Sequence, residues 1–266
     1  MAIRPVDLSV TNITATSVRL NWVAGALNPL QALINSLFGS AEQGALYVPQ
    51  PIVNGAQALF QDAAGTVPVT TDGDPVGRML DQSGNGNHAT QSVSGSRPVY
   101  RTDGTLHWLE FDGVDDVLDS PLILNPESCV GGVAFESLGS GDGYVFGSNA
   151  DGGYASQYLA IGQPSESPAL LLKGSNNGTG FTLGNPTVAS WSLDFISESG
   201  TVIPTNGVSY NSVFGSAVAP AAPFRIGQRP NSTVSFSLKF HGFVVAFDRN
   251  SAEDARAVYD YLKGKI

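Results

Sequence analysis

The chain has 266 residues, of which 42% are hydrophobic and only 14% charged; it carries 31 glycines and 16 prolines, and its formal net charge is -10. That length suffices to bury a sizeable core, and the Gly and Pro content suits many tight turns between short strands. The acidic balance argues against unaided binding to nucleic acid or an anionic lipid surface, since either needs cations to displace counterions.

A lone cysteine, Cys129, excludes an internal disulfide framework, and its apolar setting CVGGVAF points to a buried, inert thiol. No basic stretch followed by an apolar run opens the sequence, so no signal peptide is expected. No apolar run approaches about 20 residues, so no membrane insertion is expected either. Asn12, Asn177 and Asn231 each open an N-x-S/T triplet and read as ordinary turn residues.

Residues 5–22 hold two alternating runs, Leu8, Val10 and Ile13, then Val18, Leu20 and Trp22. They resemble the first two strands of a fibronectin type III domain, but nothing after them supplies the remaining strands. An isolated hairpin is marginal in water, so the segment reads as an arm that docks elsewhere. Residues 24–40, AGALNPLQALINSLFGS, then predict a helix: Leu30, Leu33, Ile34, Leu37 and Phe38 fall on one stripe, Asn28 caps it, Pro29 opens it and Gly39 stops it. So apolar a stripe must be buried, either against the rest of the chain or in assembly with identical copies or another protein.

Residues 41–80 are loop-like with short extended runs, and from Arg78 onward strands recur at short intervals between Gly, Asn and Pro clusters. Expected strands include Ala45–Val48, Ala58–Phe60, Ala89–Ser92, Leu106–Asp112, Val117–Leu118, Val130–Glu136, Gly143–Gly147, Tyr158–Gly162, Ala169–Lys173, Gly180–Leu183, Ala189–Ser197, Val208–Phe214, Ala222–Gly227 and Thr233–Phe247. In ASWSLDFIS, Trp191, Leu193 and Phe195 share a face. In VSFSLKFHGFVVAF, Val234, Phe236, Leu238 and Phe240 share one, and the set resumes three residues later at Phe243, which predicts a bulge at His241–Gly242. The tail predicts a helix with Ser251 as cap, a capping-box-like S-x-x-D to Asp254, and a buried stripe of Ala255, Val258, Tyr259 and Leu262.

Three blocks carry a resemblance over about residues 78–266: DQSGNGNHATQ followed by LEFDGVDDVL, then WSLDFISESGTVIPTNGVSY, then the closing FRIGQ…YDYL segment. Together they resemble laminin-G-like, concanavalin A-like lectin domains, which implies an all-β antiparallel jelly-roll sandwich. Residues 36–118 are also similar to a segment of tailed-bacteriophage structural proteins, tail-fibre-like and other virion-surface proteins, that leads into the same sandwich; Tyr47-Val48-Pro49-Gln50-Pro51 departs from the usual acidic YDPSD there. The implied organisation is an N-terminal arm and amphipathic helix over 1–44 for attachment, then the sandwich with its lead-in segment over 45–266.

Candidate sites follow from chemistry. Asp112, Asp115 and Asp116 lie within five residues, and Asp81 with Asn85 and Asn87 makes a second oxygen-rich loop; such loops can hold calcium or serve as side-chain-to-backbone turns. No other cofactor is expected. Trp108 points outward if Leu109 and Phe111 face the core, so a chain element, a partner subunit or a sugar ring must cover it. The loop SNADGGYASQY sets Tyr154 and Tyr158 beside Asn149 and Asp151, rings and polar groups of the kind that bind a pyranose. Two-carboxylate glycoside hydrolysis has no E-x-D-x-E run to rest on; Glu110 and Glu136 are its only candidates. His88, His107 and His241 are too scattered for a zinc motif. The combined expectation is a non-enzymatic virion structural protein, with no catalytic residue, on the virion surface after assembly in the host cytoplasm. It would be a homo-oligomer that meets other virion proteins through its N-terminal segment and adheres to host-surface glycan. The alternatives are a purely structural capsid decoration protein or a glycoside hydrolase.

Overall fold

The computed structural model describes residues 28–123, 127–139, 143–149, 157–163, 169–172, 185–197, 199–207, 210–213, 223–228 and 235–266. Helix α1 spans Pro29–Phe38, and the Asn28 side chain accepts a hydrogen bond from Gln31 N–H at 2.8 Å. The short strands β1 (Gly44–Tyr47), β2 (Ile52–Val53), β3 (Ala56–Gln57), β4 (Leu59–Phe60), β5 (Arg78–Met79) and β6 (Ala89–Thr90) follow. Next come β7 (Val99–Thr102), β8 (His107–Asp112), β9 (Leu118–Ile123), β10 (Ser128–Ser137), β11 (Gly143–Asn149), β12 (Gln157–Gln163) and β13 (Ala169–Leu172). The chain closes with β14 (Thr187–Asp194), β15 (Ser199–Ile203), β16 (Tyr210–Val213), β17 (Pro223–Ile226), β18 (Ser237–Phe247) and helix α2 (Ala252–Lys263).

Two antiparallel sheets form the all-β sandwich that the strand spacing predicts. The first runs β16-β15-β14-β10-β18-β8-β7, with β1 also paired to β18; the second runs β13-β12-β11-β17-β9-β6-β5-β4. Alternation puts large side chains between them: Tyr47, Phe146, Trp191, Phe224 and Phe243 meet with ring centroids 4.7–6.4 Å apart. Aromatic rings packed this way contribute beyond their buried area. The bulge in β18 lies where the sequence puts it: Ala134 of β10 faces Gly242 and Phe135 faces Phe240, which leaves His241 as the additional residue.

A second apolar layer lies on the outer face of the first sheet. Leu46, Val130, Ala134, Val188, Val244 and Ala246 point outward there and are covered by Leu33, Leu37 and Phe38 of α1 and Ala255, Val258, Tyr259 and Leu262 of α2. Gly132 allows the closest approach: a Cβ on it would stand 2.5 Å from Val258 Cγ1 and 2.8 Å from Leu262 Cδ1. Ser251 caps α2 by accepting from Asp254 N–H at 3.1 Å. Arg249 ties the helix to the segment before β1, at 2.7 Å from Asp254 and 2.8 Å from Glu42.

This layer corrects the expectation of an assembly helix separate from the sandwich. Leu33, Leu37 and Phe38 are buried within the chain and Leu30 and Ile34 are partly buried against the same cluster, so α1 shares a core with residues beyond 44. The physical reason is that the sheet itself presents a complementary apolar face. The preceding arm, residues 1–27, lies outside the described residues.

The loop DQSGNGNH is a clamp on β1. Asp81 accepts from the N–H groups of Leu46 (2.9 Å), Ser83 (2.9 Å) and Asn87 (3.0 Å) and from Ser83 Oγ at 2.8 Å. The Asn85 and Asn87 side-chain amides donate to the Gly44 carbonyl at 3.2 and 2.8 Å. Tyr47 reaches Asn87 O and Ser120 Oγ through its hydroxyl at 2.5 and 2.6 Å. The Asp81 oxygens that the sequence offers as possible calcium ligands are here spent on backbone and hydroxyl donors, as Asx turns spend them.

Candidate functional site

Of the glycan candidates around residue 150, Asn149 and Tyr158 sit on β11 and β12 near the β11–β12 connection, where Asn149 pairs with Gln157. Asp151 and Tyr154 lie outside the described residues. Asp112, Asp115 and Asp116 do converge, each offering an oxygen within 4.8 Å of the others. They close the turn after β8: Asp112 accepts from Val114 N–H at 2.7 Å, Asp115 accepts from Ser96 Oγ at 2.6 Å, and Asp116 accepts from Asp112 N–H at 2.9 Å. Gly113 adopts φ +79° between them, and a Cβ there would press on Ser237 at 2.9 Å. Burial, together with the neighbouring carboxylates of Asp112 and Asp115, pushes the Asp116 carboxyl up to about 6.

The part of the first sheet that the helices leave bare carries the densest chemistry. Trp108, Glu110 and Asp112 alternate outward on β8 while Leu109 and Phe111 enter the core. Register then aligns three adjacent strands: Lys239 of β18 faces Glu110 of β8 on one side and Glu136 of β10 on the other. Lys239 Nζ stands 2.9 Å from Glu136 Oε2 and 5.5 Å from the Trp108 ring. Arg101 on β7 lies 3.7 Å from Glu110 and 3.5 Å from Asp72. With strands about 4.8 Å apart, Glu110 and Glu136 rise from backbones about 10 Å apart on one face. Their side chains can therefore reach the window of about 5–10 Å in which two carboxylates straddle a glycosidic bond.

Trp108 is half-buried: the His241 ring covers one flank at 5.9 Å, and the indole Nε1 is buried without a partner. The cover that the outward tryptophan requires is thus supplied partly within the chain. His241 is itself buried, and burial pushes its imidazole down to about 4, so it is neutral at pH 7. It lines a cavity of about 50 Å³ with His107, Gln50 and Lys265. A wider cleft of about 240 Å³ shares Gln50 and Lys265 and extends to Leu30, Asn54 and Tyr261.

Sequence reasoning named Trp108, Glu110 and Glu136 separately but missed that they share one surface with Lys239. Lys239 is 103 residues from Glu136, and only the strand order brings the two together. No signal in the sequence points to Lys265.

No family model matches the chain, and no curated protein does. Solved structures do match. An arabinofuranosidase complexed with arabinofuranosyl-alpha-1,2-xylobiose aligns with TM-score 0.60 at 12% identity over 87% of this chain and 65% of its own. A GH54 α-L-arabinofuranosidase soaked with a cyclic sulfate inhibitor aligns with TM-score 0.61 at 13% identity over the same shares, 87% and 65%. A Trypanosoma rangeli sialidase aligns with TM-score 0.49 at 14% identity, over 90% of this chain and 38% of its own. The chain thus spans 65% of the length of the arabinofuranosidase chains, and the likeness is one of fold, the all-β sandwich. It nevertheless corrects the expectation of a non-enzymatic virion structural protein with no catalytic residue. The solved chains that share this architecture at TM-scores of 0.60 and 0.61 are glycoside hydrolases, so the fold gives no ground for setting bond cleavage aside.

Proposed function

We propose that this chain is a carbohydrate-active protein that cleaves a glycosidic bond on the bare face of its first sheet. The observation that carries this reading is the row Glu110–Lys239–Glu136 across β8, β18 and β10, with the Trp108 ring beside it. The architecture shared with arabinofuranosidases supports it. In this reading the apolar face of a sugar stacks on Trp108. Glu110, in the longer and looser contact with Arg101, protonates the leaving oxygen. Glu136, hydrogen-bonded to Lys239, takes a proton from the water whose oxygen bonds to the anomeric carbon as the bond to the leaving oxygen breaks. Lys239 holds Glu136, Arg101 holds Glu110, and the two cations offset the repulsion between the carboxylates.

The test is turnover of a panel of 4-nitrophenyl glycosides, with the α-L-arabinofuranoside first, and release of reducing ends from arabinoxylan. Glu110→Gln and Glu136→Gln should each lower the rate by about 10²–10⁴-fold, the usual share of a positioned acid or base. Trp108→Ala should act chiefly on KM. A folded protein that turns over none of the panel, or variants as active as the parent, would end the proposal.

A further inference from the structure

Four polar groups of one neighbourhood are left without partners. His241 is 5% exposed and its Nδ1 is buried with no hydrogen bond. The neutral ring carries one N–H, so Nδ1 stands ready for one hydrogen bond, as acceptor or as donor according to the tautomer. Tyr261 Oη is buried with no partner, as is Trp108 Nε1. Lys265 packs its ammonium 4.8 Å over the Tyr261 ring, and no carboxylate of the described residues pairs with it. Native proteins seldom leave three buried polar atoms such as His241 Nδ1, Tyr261 Oη and Trp108 Nε1 unsatisfied together, and each calls for an explanation.

The cavities suggest what satisfies them. Lys265 and Gln50 stand between the inner cavity of about 50 Å³, which ends on His241, and the outer cleft of about 240 Å³ beside Tyr261. The inner space holds a hydroxyl group or a few waters, and the outer one has room for a carboxylate and part of a sugar ring. An unpaired ammonium in a chain of net charge -10 is an attractor for a negative group. Beside it, a hydroxyl can match Nδ1 in either tautomer, and the Tyr261 hydroxyl fits an oxygen acceptor.

We infer that the joined cleft around Lys265, Gln50, His241 and Tyr261 binds a hydroxylated carboxylate, namely a uronic-acid residue of a glycan. The carboxylate sits against Lys265 and Tyr261 Oη, and a ring hydroxyl hydrogen-bonds to His241 Nδ1. His241 abuts Trp108 at 5.9 Å, so the neighbouring sugar of the same chain can extend toward the carboxylate row. This assignment rests on the carbohydrate-active reading for its substrate class, but binding here needs no cleavage there.

The test is titration of the full chain with D-glucuronate, D-glucose and acetate, followed through the imidazole resonances of His241 and His107 and by calorimetry. Glucuronate should move the His241 signals and bind at least about tenfold tighter than glucose or acetate, a difference that a single charge-assisted contact accounts for. Lys265→Met should abolish that preference and Lys265→Arg should restore most of it, with thermal midpoints checking that both variants fold. Equal affinity for glucose shows that no charge is read, equal affinity for acetate shows that no hydroxyl is read, and an unaltered Lys265→Met shows that the ammonium is not used; each overturns the inference. Uronate binding without turnover of any glycoside would leave it standing and sink the hydrolytic reading. Turnover of neutral glycosides with no uronate response would do the reverse.

Discussion

The outer face of the first sheet is one surface with two characters. At one end β10 and β18 present Val130, Gly132, Ala134, Val244 and Ala246 under the helices. At the other, the same strands and their neighbour β8 carry Glu136, Lys239, Glu110 and Trp108, each partly exposed. The backbone is common to both, so the difference lies in what covers them. Under a helix the outward positions are small or branched and apolar. Beyond it they are charged, paired in register, and gathered round a half-covered ring. Stability is concentrated in the covered half and polar chemistry in the bare one.

That division can be broken most severely at its covered end. Leu37→Ala should cost about 2–5 kcal/mol, as truncation of a fully buried leucine usually does, read from urea unfolding midpoints; a cost below about 1 kcal/mol would show that α1 is not part of the core. The seam between the halves should respond to acid. Burial holds His241 neutral at about 4 against an ordinary 6.5, so the unfolded chain takes up a proton in that window that the folded chain does not. Its contribution is complete above pH 6.5 and is lost as the pH falls to about 4, by up to about 3 kcal/mol. His241→Gln should flatten that part of the stability-against-pH curve, and an unchanged curve would contradict the burial. Ser251→Ala removes one cap from α2 and should cost about 1 kcal/mol, measured in the same unfolding experiment. At the bare end Glu136→Gln breaks an ion pair whose side chains are 27% and 34% exposed, so it should change stability by less than about 1 kcal/mol while lowering turnover. If it unfolds the protein instead, the two halves are not separable.

Much of the scaffold is legible in the residues because it is local. Strict alternation in Trp191–Leu193 and in Phe236–Leu238–Phe240 gives core-facing strands, and the three-residue step to Phe243 gives the bulge. The cap and stripe of α2 are equally explicit. What escapes is set by distant partners. Val99–Thr102 and Ser199–Ile203 become strands because β8 and β14 pair with them, not because their own pattern is strong. The acidic DQSGNGNH loop looks like a ligand site but works as a clamp, since the backbone groups it serves, the Leu46 N–H and the Gly44 carbonyl, lie 35 to 43 residues away. Glu136 looks solitary until register sets Lys239 opposite it.

The bulge at His241 has a further consequence for how this chain can change. One edge of β18 is shared end to end: β1 pairs along Phe243–Ala246 and β8 along Ser237–Phe240, with the bulge at the join. Successive strand residues serve opposite faces, so a single extra residue reverses the parity of everything beyond it. Without the bulge, the three-residue step from Phe240 would turn Phe243, Val245 and Phe247 toward the helices and Val244 and Ala246 toward the opposite sheet, inverting the core at one stroke. Substitutions on either side of the join carry no such penalty, so the two ends of one strand can diversify independently so long as the bulge between them absorbs the odd step.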